Sequence, residues 1–136
     1  MIPRELKIKT VEKSDYRVYL KKATDFYDIM LKALDSANWT AAGLNAVHCA
    51  ISCCDALLVF HLGVRSIGED HRQVADLLLR LPQKLTGEVA AFKRIVAKKN
   101  LIAYENRDFR RVEALEITKM AERFYGWAKS NLPSRE

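Results

Sequence analysis

The stretch that begins after Asn38-Trp39-Thr40 and runs to Gly63 has a helical period yet is apolar on two faces. Leu44, Val47, Ile51, Cys54, Leu58 and Leu62 form one stripe, and Gly43, Ala46, Ala50, Cys53 and Leu57 form another. A helix that is apolar nearly all round has to be surrounded by other elements. The small residues of its second stripe let a neighbouring helix approach closely. Whatever else the chain forms must therefore wrap this segment.

The remaining residues supply helices for that purpose. Tyr16, Tyr19, Leu20, Ala23, Phe26, Tyr27, Met30, Leu31 and Leu34 recur three and four apart, which predicts a first amphipathic helix capped by Ser14 and ending near Asn38. A polar connection over residues 64–70 leads to a short helix with Val74, Ala75, Leu77, Leu78 and Leu81 inward, stopped before Pro82. Thr86 is the expected cap of a fourth helix with Val89, Phe92, Ile95, Val96 and Ile102 inward, continuing to about Tyr104. A fifth helix starts near Asp108, with Val112, Leu115, Ile117, Ala121, Phe124 and Ala128 as its stripe. The expectation is one all-α domain over residues 1–136, an up-down bundle of four long helices and one short one, without strands. Its ends, about 1–12 and 132–136, are expected to be flexible.

Composition narrows the class. Of 136 residues 49% are apolar and 29% charged, too apolar for a disordered chain. The longest apolar run, residues 49–60, is interrupted by Asp55 and is shorter than the ~20 residues of a membrane span. The first residues lack an apolar signal core, and the three cysteines, Cys49, Cys53 and Cys54, sit together in one helix rather than in a disulfide framework. A cytoplasmic location follows as the expectation. A single Cys-x3-Cys beside His48 reads as packing rather than a metal site, and His48, His61 and His71 are scattered. No metal, cofactor, phosphate loop or conventional acid pair is expected.

The net charge of +6 is concentrated. Over residues 93–111, Lys93, Arg94, Lys98, Lys99, Arg107, Arg110 and Arg111 far outnumber Glu105 and Asp108, and they alternate with Asn100, Tyr104, Asn106 and Phe109. Cations interleaved with aromatic and amide side chains suit phosphate contacts and base stacking. Lys93, Arg94, Arg110 and Arg111 read equally well as a solvated face. Lys99 continues the spacing of Val89, Phe92 and Val96, so it and Ala103 are expected on the inward stripe, with Lys99 snorkelling to an edge or facing a pocket or a second subunit.

From about Asp15 to Leu132 the chain resembles the HEPN superfamily of small helical bundles. The resemblance lies in the long first helix, the Ala-rich second helix ending Asp55-Ala56-Leu57-Leu58-Val59-Phe60-His61-Leu62-Gly63, the segment Lys98-Lys99-Asn100-Leu101-Ile102-Ala103-Tyr104-Glu105, and the closing helix with Ala121-Glu122-Arg123-Phe124. Active members are metal-independent ribonucleases with an Arg, often followed by Asn, and a His four to six residues on. Many form homodimers, and small bacterial members pair with a minimal nucleotidyltransferase as toxin and antitoxin. Here Lys99-Asn100 stands at the Arg-Asn position and Tyr104 at the His, and the chain has no His beyond His71. A phenol with pKa about 10 is a poor proton acceptor near neutrality, and a lysine lacks the guanidinium fork.

Three functions follow as expectations. The first is a catalytically impaired module that binds RNA, nucleotide or a protein partner, with Lys98, Lys99, Asn100, Tyr104 and Arg107 as its binding residues. The second is an active ribonuclease toxin using Lys99 and Tyr104. The third is a structural adaptor that docks a partner protein, with Phe124-Tyr125-Gly126-Trp127 as part of its surface.

Overall fold

A computed structural model describes residues 7–67, 71–82 and 87–133. Its elements are β1 (Ile8–Thr10), a 3-10 turn (Lys13–Asp15), α1 (Tyr16–Asp35), α2 (Trp39–Leu62), β2 (Val64–Ser66), α3 (His71–Leu78), α4 (Val89–Ala97), α5 (Lys99–Tyr104) and α6 (Arg111–Ser130). The architecture is an all-α bundle with a two-stranded accessory sheet.

Ring contacts give the directions of the helices. Tyr16 meets Phe60 and Phe26 meets His48, so α1 lies antiparallel to α2. Gly43 faces Phe109 at one end and His61 Nε2 meets the Asn131 carbonyl at 2.9 Å at the other, so α2 and α6 run parallel. Phe92 packs on Phe124 while Ile102 reaches Gly43, which sets α4 and α5 antiparallel to both. The order is up-down-up-down, with α4 and α5 together as the third member.

Helix α2 is the axis, buried from Ser52 to Val59 without a break. It spans 24 residues, and an 18-residue window within it has mean hydropathy 1.6, long and apolar enough by length and composition alone to cross a bilayer. Inside the fold 72% of that window is buried, so its apolar surface is taken up by neighbouring helices. Cys49, Cys53 and Cys54 are free thiols in this core. A hydrogen bond with Cys49, then burial, pushes the Cys53 thiol up; burial does the same to Cys54. Neither is primed as a nucleophile or ligand.

The structure differs from the periodicity in several places. Ser14 lies in the 3-10 turn and α1 starts at Tyr16 with no side-chain cap. Thr86 lies outside the described residues. The fourth helix divides at Lys98, whose N–H bonds Ile95 O at 3.2 Å, a one-residue tightening of the ladder. The division turns α5 so that Ile102 is buried, Lys99 half-buried and Ala103 exposed. On α6 the inward face is Ala114, Ile117, Thr118, Ala121, Phe124, Tyr125 and Ala128. Val112 and Leu115, expected inside, are 73% and 45% exposed because they lie on a different helical angle from that face.

The expectation of no strands is also corrected. Ile8 pairs with Ser66 and Thr10 with Val64 in an antiparallel ladder, extended by Val11 N–H to Gly63 O at 2.8 Å. Gly63 turns the chain out of α2 with φ +67°, a conformation glycine adopts without strain. Buried Gln73 closes the ladder. Its Oε1 accepts from Lys7 N–H, and its Nε2 donates to Lys7 O and Ser66 Oγ, each at 2.8 Å. The residues near the N-terminus are thus held by a side chain 66 positions away. Gln73→Leu is expected to cost about 1–3 kcal/mol, because it strands these polar groups, and to speed amide exchange at Val11 and Ile67. Unchanged protection of those amides would show that the strand holds without Gln73.

Candidate nucleic-acid interface

The basic segment folds into a corner at the end of the bundle where α2 and α6 begin. Glu105 N–H closes α5 on Asn100 O at 3.2 Å, and the chain turns through residues 105–110 into α6. Phe109 anchors this turn. Its ring is buried against Gly43, where a Cβ would lie 2.7 Å from Phe109 Cε2 and 3.1 Å from Ile102 Cδ1. Glycine at 43 is what lets the ring reach α2.

A carboxylate organises the start of α6. Glu113 accepts both arms of the Arg107 guanidinium at 2.9 and 2.7 Å, together with the Arg110 backbone N–H at 3.1 Å. The Arg107 bonds, then the Arg110 N–H, hold the Glu113 carboxyl down to about 2, and Arg107 is shifted up mainly by the same hydrogen bonding. Arg107 is therefore a strut within the turn, and its charge is already balanced.

The other expected site residues face different ways. Lys98 lines a cleft of about 370 Å³ between α4 and α6, with Arg94, Phe109, Glu113, Ile117 and Met120 among its walls. Lys99 sits half-buried on α5, and its charge reaches His48 of α2, whose pKa is lowered first by burial and then by Lys99. Asn100 and Tyr104 are exposed, the tyrosine by 78%. Lys93, Arg94, Lys98, Lys99 and Arg111 make no ion pair among the described residues. These cations are spread along the bundle from α4 to the start of α6, and Tyr104 is the exposed aromatic ring of the segment.

A second cleft, of about 400 Å³, was not legible in the sequence. It is lined by Asn38, Trp39 and Thr40 at the start of α2 and by Asp108, Phe109, Arg110 and Arg111 at the start of α6. The Asn38 side chain does not cap α2. First-turn N–H groups at the parallel starts of two helices favour an anion electrostatically, and Arg111 adds a full charge. Trp39 and Arg111 are far apart in sequence, so only the parallel packing of α2 and α6 brings them together. The influence of the Lys99 charge on His48 was missed for the same reason.

No family model and no curated protein matches this chain. Among solved structures the chain is similar to TT1696 from Thermus thermophilus, at 17% identity, a TM-score of 0.63, and coverage of 87% of this chain and 98% of that one. At that identity the likeness shows a shared fold: the helical bundle, nearly end to end, is the fold of TT1696.

Proposed function

We propose that this chain is a HEPN-like module that binds RNA or nucleotide without cleaving it, working in the cytoplasm as a homodimer or beside a nucleotidyltransferase-type partner. The observation that carries the reading is the cleft between the starts of α2 and α6, with Arg110 and Arg111 in its wall and Tyr104 exposed at the same end of the bundle. Helix starts and Arg111 take phosphates, and the tyrosine ring offers a stacking platform. Cleavage lacks support in the Lys99–Tyr104 pair: Tyr104 is 78% exposed, and a phenol stands where the resembled ribonucleases use an imidazole.

Fluorescence anisotropy with labelled single-stranded RNA, followed by a denaturing gel, tests the reading. Wild type is expected to bind in a salt-dependent way and leave the RNA intact. Tyr104→Ala, which removes no core contact, is expected to weaken binding about tenfold, and Arg111→Ala to lower the salt slope by roughly one. Binding untouched by either variant would remove the corner as the interface. Cleavage would restore the ribonuclease reading, and dimerisation without RNA affinity would favour the adaptor.

A further inference from the structure

The cleft between α4 and α6 is built from two helical stripes that face each other. Arg94, Ala97 and Lys98 follow the i, i+3, i+4 spacing of one face at the end of α4. Glu113, Glu116, Ile117 and Met120 follow the same spacing on α6. The two helices meet through Phe92 and Phe124, with ring centroids 5.9 Å apart. Farther along α4 the residue between the two cations is Ala97, whose methyl is too short to fill the space, and a cleft of about 370 Å³ remains.

The lining divides by chemistry. Phe109 and Ile117 are buried and Met120 is half-buried, so the floor is apolar. Arg94 and Lys98 stand on the α4 side and Glu116 on the α6 side, and the side chains of these three make no ion pair among the described residues. Glu113 is already committed to Arg107 and the Arg110 N–H. Opposite charges thus line two sides of an apolar slot without pairing across it.

That pattern discriminates among ligands. A fatty carboxylate satisfies the cations but meets the Glu116 carboxylate, and an amine satisfies Glu116 but meets two cations. A molecule that carries both a carboxylate and an ammonium on a short apolar body suits all three linings, with each head group in a charge-assisted hydrogen bond. The volume lies at the small end of the roughly 300–1,000 Å³ of small-molecule sites, which suits a ligand of amino-acid size and not a long acyl chain. We propose that this slot binds a free α-amino acid with an apolar side chain. Its carboxylate lies on Arg94 and Lys98, its ammonium on Glu116, and its side chain on Ile117, Met120 and Phe109. The site takes no phosphate, so it stands whether or not the corner binds RNA.

Methyl NMR of the full chain, following Met120 and Ile117, tests the site with L-leucine as the probe. Leucine is expected to shift both methyl signals saturably, with Kd on the order of 0.1–1 mM. Isocaproate lacks the ammonium, isoamylamine lacks the carboxylate, and glycine lacks the apolar body; each is expected to bind about tenfold more weakly. Arg94→Gln is expected to weaken leucine and isocaproate but not isoamylamine. Glu116→Gln is expected to weaken leucine about tenfold and to leave isocaproate as tight or tighter. Ala97→Phe, at an exposed position, is expected to fill the slot and abolish the shifts while the other methyl signals stay in place. Isocaproate binding as tightly as leucine would overturn the zwitterion, and undiminished leucine binding by Ala97→Phe would overturn the location. No saturable shift with leucine would overturn the site, and methyl shifts that follow protein concentration instead would give the slot to a second copy of the chain.

Discussion

Phe109→Ala is expected to destabilise the protein by about 3–5 kcal/mol and to weaken RNA binding with it. Phe109 is buried, fits the space left by Gly43, and walls both clefts at the corner. Removing the ring leaves a void between α2, α5 and α6 and frees the turn that carries Tyr104 and Arg111. Urea denaturation gives the stability change, and anisotropy at a temperature where the variant remains folded gives the binding change. The same contact can be stressed from the other side. Gly43→Ala gains about 1 kcal/mol of helix propensity but places a methyl 2.7 Å from the Phe109 ring. The displacement is expected to cost about 1–3 kcal/mol, so this variant ends near neutral or destabilised while binding falls. If Phe109→Ala kept full stability, Phe109 would not be the anchor of the corner.

The second large effect concerns Asp55, the one acid in the apolar axis. Burial pushes its carboxyl up to about 6, although the Arg65 guanidinium and Lys22 pull it down. Arg65 Nε approaches Asp55 Oδ2 only to 3.5 Å, too poorly aligned for a hydrogen bond, and the guanidinium lies over the Tyr19 ring at 5.2 Å. The pair is thus imperfect compensation for a buried charge. Because the folded-state value lies above the unfolded one, the protonated acid favours the folded chain. The contribution is fully present below about 4, declines as the unfolded chain ionises, and is lost once pH passes about 6. The amplitude is about 3 kcal/mol.

Asp55→Asn, which mimics the protonated acid, is therefore expected to match wild type near pH 4 and exceed it by several degrees in Tm at pH 7.5. Taking the difference between the two proteins at each pH removes the contribution of other carboxylates. Parallel stability curves from pH 4 to 7.5 would show that Asp55 does not carry this dependence. Arg65→Gln is expected to act the other way and lower stability at neutral pH, since it takes away the larger of the two compensating charges.

How much of this was legible depends on the range over which each signal acts. The apolar axis was readable because a helix apolar on two faces has few solutions, and α2 lies where that pattern ends, at Gly63. The basic segment was readable as composition, but its meaning was not. Arg107 counts as a cation in a list of charges, yet the fold ties it to Glu113; Lys98 and Lys99 are neighbours in the chain, yet Lys98 lines the cleft against α6 while the charge of Lys99 reaches His48 on α2. Three-residue strands offer too few positions for a period, so β1 and β2 were hidden until Gln73 and the end of α2 brought them together.

By itself the sequence determined an all-α bundle around one central helix, a cluster of positive charge toward its last third, and thiols placed in packing, because each follows from local spacing and from the need to bury apolar surface. Tertiary structure alone decided which residues form sites. The parallel packing of α2 and α6 makes the cleft of Trp39 and Arg111, and the packing of α5 on α2 brings His48 within reach of the Lys99 charge. These are pairings between residues whose separation along the chain carries no periodic signal, and only the helix directions bring them into register.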